Sequence, residues 1–529
     1  MRRPIALLLL VAGCTSLPVP GPPPLPPPEP DPTDRFFAHD KVREIDLEFA
    51  PAELEKLRTQ PRAYATGTMR EVGVDEYVDV AIKIKGAAGS FRNVDDRPAL
   101  TLNVGKFADG RTWHGLKKFH LNNSVQDATL ACEHVASTLF AAAGIPTPRA
   151  AAARVRINGR DLGLYVLKEG FDTRFLRRHF ARADGNLYDG GFCLDLDARL
   201  ERDEGKGVDD QLDLRALTAA CREPDPAKRY AGLAEVVDIE AFITLMAMEL
   251  MMCHWDGYTI NRNNYRVYFE PIDRRAHILP HGLDQIFQDP GFSVLGFPGP
   301  LLASAVMANP EWRRRYRQRI GELLPLFDPA RLHPRVDEMA RRIQAALLAT
   351  NERRARAHAE RISELKNRIT ARYANLKAQN ERPEPVPLVF DSEGVATLDG
   401  WSPAAGADAA AEEVDVDGRR ALSIRGTKEK PFAASWRRRV LLRRGVYLIE
   451  AAARTADVVA PKEAHGAGLR VTGSSRRNRL VGTQDWTPLQ HNFIVTDEWR
   501  EIEIILELRA DSGQAWFDRA SLVIRKVER

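Results

Sequence analysis

The sequence predicts a multidomain chain, an α+β half followed by an all-β sandwich. Three observations carry this. Between residues 36 and 167, alternating β-type runs surround a short helix and one longer helical segment, and from 172 to 377 helical periodicity takes over. Residues 237–287 join a buried helix, a polar loop and a β-hairpin. Beyond a Pro-rich break at 381–387, apolar runs are short, alternating and divided by turns, as in a sandwich.

A length of 529 residues calls for two or more domains. A net charge of +4 is nearly balanced and gives no reason to expect a nucleic-acid partner. At the N-terminus, Arg2 and Arg3 precede an apolar core at 5–11, which reads as a secretion signal over 1–13. That core is too short to span a bilayer. Val11, Ala12, Gly13 and Cys14 resemble a bacterial lipoprotein cleavage box, which implies a lipidated Cys14 and membrane attachment by lipid alone. Thr15 follows where an Asp would favour inner-membrane retention, so the expected location is the cell envelope, at the outer rather than the inner membrane. The proline-dominated remainder of 14–34 reads as a spacer. The spacings of Cys132, Cys193, Cys221 and Cys253 match no zinc pattern and leave open either a Cys193–Cys221 bridge or buried free thiols.

In chain order, strands are expected at 42–47, 77–86, 98–104 and 116–121, with a short helix at 51–58 starting on its proline. The second strand runs into a Gly-rich turn at 86–90. Asp127 is expected to cap a helix over 128–143 that stops at Gly144. A hairpin turns at Asn158 and Gly159, and a short helix follows at 172–180. Residues 239–252 are a long apolar helix with Asp238 as N-cap. It delivers His254, Trp255 and Asp256 onto a loop, with a strand at 265–269 and a turn at 271–274 leading to Asp284.

This spacing suits phosphoryl transfer. Asp256 and Asn261 stand five apart, His254 lies two before the Asp, and a second carboxylate, Asp284, follows a hairpin. A base and two hard oxygen ligands at those offsets are what a metal–nucleotide site needs. The Gly-rich turn is placed to lie over phosphates. Lys117 or Lys118, in the strand before the helix, is placed to pair with phosphate and with Glu133.

The motifs then add up. Ile84, Lys85, Gly86 and Ser90; Gly115, Leu116, Lys117 and Lys118; Leu121, Asn122, Asn123 and Asp127; Gly144, Ile145 and Pro146; Asn158, Gly159 and Glu169; Gly185, Asn186, Leu187 and Tyr188; and Asp256, Asn261, Asn263, Asn264, Leu283, Asp284 and Gln285 follow in order. Together they resemble the CotH kinase family of atypical protein kinases, over roughly residues 82–372. The resemblance implies an atypical protein-kinase-like fold that uses ATP with Mg2+ or Mn2+ to phosphorylate Ser or Thr on secreted or surface proteins. By motif, Asp256 takes the catalytic role and Asn261 and Asp284 the metal roles. Lys85, Ser90, Lys117, Lys118 and Glu133 fall to the nucleotide, and Glu169 to the connection between lobes, near adenine. Where family members carry Pro-Trp-Asp-Leu-Asp, this chain reads Pro280, His281, Gly282, Leu283, Asp284, so one carboxylate is missing.

The expected division is 1–13 signal, 14–34 lipidated Cys and linker, 35–380 kinase-like domain, 381–387 linker and 388–529 β-sandwich. The last resembles jelly-roll, carbohydrate-binding-module-like domains, with Trp401, Trp436, Trp486 and Trp499 divided between core packing and sugar stacking. The alternative to an enzyme is a degenerate kinase-fold scaffold on the cell surface that binds glycan or envelope partners. A glycan hydrolase needs two facing carboxylates roughly 5–10 Å apart, and the sequence singles out no such pair.

Overall fold

The computed structural model describes residues 31–38, 41–296, 299–383, 386–427, 430–460, 465–476 and 478–527. The expected signal peptide, Cys14 and the linker as far as residue 30 lie outside them. The end of that linker is not extended, because helix α1 (Pro32–Ala38) begins inside it. Asp31 accepts from the Thr33 backbone N–H at 2.9 Å and the proline takes the first helical position.

Seven strands close into a barrel in the order β1-β2-β3-β4-β5-β7-β6. They are β1 (Arg43–Glu48), β2 (Ala65–Glu71), β3 (Glu76–Lys85), β4 (Ala99–Asn103), β5 (Lys118–Asn122), β6 (Ala150–Ile157) and β7 (Arg160–Glu169), with α2 (Pro51–Thr59) after β1 and α3 (Cys132–Ala142) between β5 and β6. β2 escapes a sequence reading because its buried positions are Ala65, Gly67, Met69 and Glu71, mostly small or polar. Gly67 is needed there: a Cβ would sit 2.9 Å from the Phe49 ring. α3 begins four residues later than expected. The Asp127 carboxylate is spent on a turn, accepting from Thr129 N at 2.9 Å and Cys132 N at 3.0 Å. The hairpin at Asn158 and Gly159 forms as expected, with both residues at positive φ (47° and 78°).

One face of β3, β4, β5 and β7 is apolar and fills the barrel, with Ile82, Ile84, Leu100, Leu102, Phe119, Leu121 and Leu167. By the two-residue strand period the other face carries Lys83, Lys85, Ala99, Thr101, Lys118, His120, Asn122 and Lys168. That polar face turns toward the second lobe.

The second lobe comprises α4 (Thr173–His179), β8 (Leu187–Asp189), β9 (Glu201–Glu204), α5 (Leu212–Arg222), α6 (Pro226–Val236), α7 (Ile239–Met251), α8 (Tyr258–Asn261), β10 (Tyr265–Phe269), β11 (Ala276–Pro280), α9 (Leu301–Ala308), α10 (Pro310–Leu323), α11 (Pro329–Leu348) and α12 (Glu352–Asn380). Its small sheet runs β11-β10-β8-β9. α7 is apolar nearly all round and is its central post: residues 242–251 are all buried. Asp238 caps it, accepting from Ala241 N at 3.0 Å. No helix among the described residues is long and apolar enough to cross a membrane.

The C-terminal region is β-rich: β12 (Val395–Thr397), β13 (Ser402–Ala405), β14 (Ala409–Val416), β15 (Arg419–Gly426), β16 (Phe432–Val459), β17 (Gly466–Val471), β18 (Gly482–Ala510), β19 (Ser512–Asp518) and β20 (Val523–Val527). The alternating runs at 433–436 and 445–451 both lie in the single strand β16. It pairs with β18 along most of its length, with register shifts at Arg443/Gly445 and Ala453/Thr455. Trp401 and Trp436 lie in the core. Trp486 and Trp499 are half-buried, under the guanidiniums of Arg419 and Arg443.

Candidate active site

A cleft of about 640 Å³ lies between the polar barrel face and the second lobe. Lys85, Ser90, Lys118, Asp256 and Asp284 line it, from segments far apart in the chain.

α7 ends at Met251 and the chain turns sharply, with Cys253 at φ 60°. Asp256 follows on the loop. Its Oδ1 accepts from Asn261 Nδ2 at 2.7 Å, and its Oδ2 from Asn263 at 3.1 Å and Asn264 at 2.8 Å. An ionised carboxylate has about four lone-pair sites. Three are taken here, so the group is fixed in direction with one acceptor position left at Oδ1. The loop rests on Glu249, fully buried in the last turn of α7. Its carboxylate accepts from the Thr259 hydroxyl at 2.5 Å and the Thr259 backbone N–H at 2.9 Å. Burial pushes it up to about 7. His254 is sealed inside, and burial pulls its ring down to about 4, so it is neutral at pH 7 and turned away from solvent.

Asp284 lies in the same cleft, half-buried. Burial, with the negative charges of Glu133 and Asp127, pushes its carboxyl up to about 6. A carboxylate held among other carboxylates is one that a cation would relieve, so Asp284 fits a metal role. Asn261 fits less directly. Its amide nitrogen is committed to Asp256 and to the Cys193 thiol at 3.6 Å, and it is Asn263 and Asn264 that line the cleft. Among the described residues no group of three or more His, Cys, Asp or Glu side chains is placed to hold a metal ion.

The missing carboxylate at 282 has a steric cause. Gly282 has φ +56°, and a Cβ there would lie 2.2 Å from Asn264 Oδ1. Asn264, itself at φ 50°, occupies the space a side chain would need while it holds Asp256.

The lysine pairing differs from the sequence expectation. Glu133 does not meet Lys117 or Lys118. Its Oε2 accepts from Lys168 Nζ at 2.7 Å, both side chains fully buried, and its Oε1 from Asn122 Nδ2 at 3.1 Å. The reason is strand register. Lys168 on β7 faces His120 on β5, one step along the same face from Asn122, whereas Lys118 is four residues down the strand. The Lys118 ammonium instead lies 3.7 Å from Asp203. Lys117 packs its stem against Gly105, outside the cleft lining. Lys85 lines the cleft beside Lys83 and Lys118 and donates to Asn122 Oδ1 at 2.7 Å. Burial, with the positive charge of Lys168, pulls its ammonium down to about 8. Ser90 sits in the Gly-rich turn, its hydroxyl accepting from Ala87 N at 3.2 Å.

Glu169 ends β7 at the connection between lobes, as expected, but it faces a cation pair rather than the cleft. Arg149 approaches it at 3.0 Å and Arg178 at 2.5 Å. Burial alone would raise its pKa, yet Arg178 and Arg149 hold it below the usual carboxylate range. Asp31, ahead of α1, joins the same cluster. Lys168, Asn122 and the triple-asparagine clamp were missed as functional groups. Asn122, Asn263 and Asn264 stood in the motif runs, but nothing in those runs says which side chains meet. All four of Cys132, Cys193, Cys221 and Cys253 are free thiols.

Inner spore coat protein H of Bacillus subtilis is 22 % identical over 267 residues, covering 46 % of this chain and 72 % of that protein. Invasin CotH2 of Rhizopus delemar is 23 % identical over 318 residues, covering 53 % of this chain, which spans about half (52 %) of the invasin's length. Among solved structures, the Helicobacter pylori proinflammatory kinase CtkA matches over 53 % of this chain and 94 % of its own, at 11 % identity and a TM-score of 0.24. The module TmCBM61, solved in complex with β-1,4-galactotriose, matches over 25 % of this chain and 91 % of its own, at 17 % identity and a TM-score of 0.19. The family model described as CotH kinase protein matches residues 82–376, more than half of the chain, from the cleft-facing strand β3 to the last turns of α12. With the family's motifs converging on one cleft, the chain belongs to the CotH kinase protein family.

Proposed function

We propose that this chain is an extracytoplasmic, lipid-anchored protein kinase that transfers the γ-phosphate of ATP to Ser or Thr of secreted or surface proteins. The observation that carries this is the Asp256 carboxylate, aimed by three asparagine amides into a cleft that also holds Lys85 and Asp284.

ATP with Mg2+ or Mn2+ would supply the phosphoryl group and neutralise its charge. Asp284 would hold the cation, with the Asn261 side-chain oxygen as the second candidate ligand. Lys85 and the Gly-rich turn with Ser90 would hold phosphate oxygens. Asp256 uses the acceptor site left at Oδ1 to bind the incoming hydroxyl proton, orienting the oxygen and receiving that proton as the bond forms. The Asn clamp keeps the carboxylate from swinging, which is the positioning such a reaction depends on. Lys118 and Glu169, held by Asp203 and by Arg149 with Arg178, act on lobe structure rather than on phosphate in this reading.

The named relatives, a spore coat protein and an invasin, support a surface or extracellular setting. The half-buried Trp486 and Trp499 of the C-terminal region are the candidates for sugar stacking by a jelly-roll, carbohydrate-binding-module-like domain over 388–529. In the second reading, the fold is a catalytically silent scaffold. Gly282, which stands where the family carries a carboxylate, favours it. A melting shift of the full chain with ATP and Mg2+ or Mn2+, beside Asp284→Ala, separates the two. Binding at one hundred times Kd stabilises by about 2.7 kcal/mol. A metal-dependent shift lost in the variant supports the kinase, and no shift with either metal supports the scaffold.

A further inference from the structure

We propose that Asn122 is a positioning residue: it couples Glu133 to Lys85 across a gap left by Ala99, and so sets the ammonium that would meet a nucleotide's di- or triphosphate. The proposal rests on the phosphotransfer reading.

Two lysines share one carboxylate. Lys168 takes Glu133 Oε2 directly at 2.7 Å, and that pair is sealed, with side-chain exposures of 0 % and 1 %. Glu133 Oε1 accepts from Asn122 Nδ2 at 3.1 Å, and Asn122 Oδ1 accepts from Lys85 Nζ at 2.7 Å. The amide is thus oriented at both ends. Its nitrogen can face only the carboxylate and its oxygen only the ammonium.

Strand register explains how Lys85 gets there. Lys85 pairs with Ala99 on β4, and the neighbouring register puts Asn122 of β5 on Ala99's other side. Adjacent strands are about 4.8 Å apart, so Lys85 spans two strand spacings over position 99. A methyl group leaves that path open, and a larger side chain would stand in it.

The charges make the relay matter. Lys168 and Arg266 repel the Lys85 ammonium, while Glu133 and Asp284 attract it. Among the described residues Asn122 Oδ1 is its one hydrogen-bond acceptor, so two of its three donors remain for the cleft. One carboxylate shared between two ammonium groups leaves positive charge facing that cleft, and an oxyanion is what completes it. A sealed Lys168 could not do this, because it does not line the cleft.

The test uses the full chain and two independent readouts. The first is the pH dependence of Lys85 acetylation by acetic anhydride, followed by mass spectrometry of its peptide. Wild type should half-titrate near pH 8; Asn122→Asp, with a carboxylate against the ammonium, should move this up by more than one unit, and Asn122→Leu and Ala99→Leu should move it down. The second is a binding series with adenosine, ADP and ATP. Asn122→Leu should lose roughly tenfold or more in affinity for ADP and ATP, with adenosine unchanged. A Lys85 titration unmoved by all three variants overturns the relay, as does an equal loss for adenosine and ATP, which marks a merely structural role. If wild type binds none of the three compounds, the phosphotransfer reading fails, and the acetylation profile still decides the relay.

Discussion

Arg372 fixes the end of α7 from which the Asp256 loop starts, and Arg372→Met should expose that dependence. The side chain is fully buried on α12. Nε donates to Met251 O at 2.9 Å and Nη2 to Leu250 O at 2.7 Å; Nη1 donates to Pro290 O at 3.1 Å and Phe292 O at 2.5 Å. No carboxylate lies within 4.0 Å of it among the described residues, so its charge is met by these four carbonyls, two of them at the end of α7, and by Asn375 Oδ1 at 2.9 Å. Two of the four carbonyls have a second donor: Cys253 N to Leu250 O at 3.1 Å and Gln379 Nε2 to Phe292 O at 2.9 Å. Met251 O and Pro290 O have no other partner among the described residues. Methionine fills much of the volume but orphans these two buried acceptors, at about 1–3 kcal/mol each. Loss of the charge at the helix end adds up to about 1 kcal/mol. The expected cost is therefore about 4 kcal/mol, a large share of a domain's usual ~5–15 kcal/mol. Urea unfolding of wild type, Arg372→Met and Arg372→Lys at matched m-values measures it. Lysine, which keeps the charge but not the fork, should fall between. A methionine variant within about 1 kcal/mol of wild type would refute the claim that these carbonyls depend on Arg372.

Asp256→Asn should abolish phosphate incorporation into a Ser- or Thr-bearing acceptor while leaving the melting temperature within a few degrees, as read by radiolabel transfer and calorimetry; retained transfer removes Asp256 from its role. Burial, with the charges of Glu133 and Asp127, pushes the Asp284 carboxyl up from its ordinary 3.8 to about 6 in the fold. The folded state therefore holds the proton more tightly, and the contribution to stability is complete below pH 3.8 and lost as pH rises through 6. Without metal, Asp284→Asn should be more stable than wild type at pH 8 and equal to it near pH 4. Metal-induced stabilisation of wild type should fall about tenfold in affinity per unit below pH 6, because proton and cation compete for one carboxylate. Gly282→Asp, which restores the family's carboxylate on paper, should destabilise the chain by a few kcal/mol, because the left-handed φ and the 2.2 Å approach to Asn264 force both to move; a stabilised variant with tighter Mn2+ binding would show that Asn264 yields readily. Lys168→Met should cost about 3–5 kcal/mol by leaving Glu133 buried and unpaired, and Glu133→Gln alongside Lys168→Met should recover part of that in a double-mutant cycle.

Elements whose signal is local can be read along the chain. α7 was legible because a long apolar run behind a capping Asp has few alternatives, and the Asn158–Gly159 hairpin because both residues accept positive φ. The Asp256–Asn261 spacing was legible because both lie in one short stretch, Asp256 on the loop and Asn261 at the end of the one-turn helix α8 that follows it. Tertiary structure decided everything that depends on register between strands. One polar face of four strands carries seven polar side chains, and only pairing tells that Asn122 and Lys168 converge on Glu133 while Lys118 goes to Asp203. β2 was invisible because its burial uses Ala, Gly and Glu in place of large apolar residues. Gly282 read as a lost ligand along the chain and proved in three dimensions to be the space Asn264 fills. The physical reason is the same in each case. Periodicity, capping and turn chemistry are set by neighbours in sequence, whereas a hydrogen bond between β3 and β5 or a contact between Asn264, just ahead of β10, and the turn after β11 is set by how strands pair. A slip of one residue in that pairing would send every one of these side chains to the opposite face.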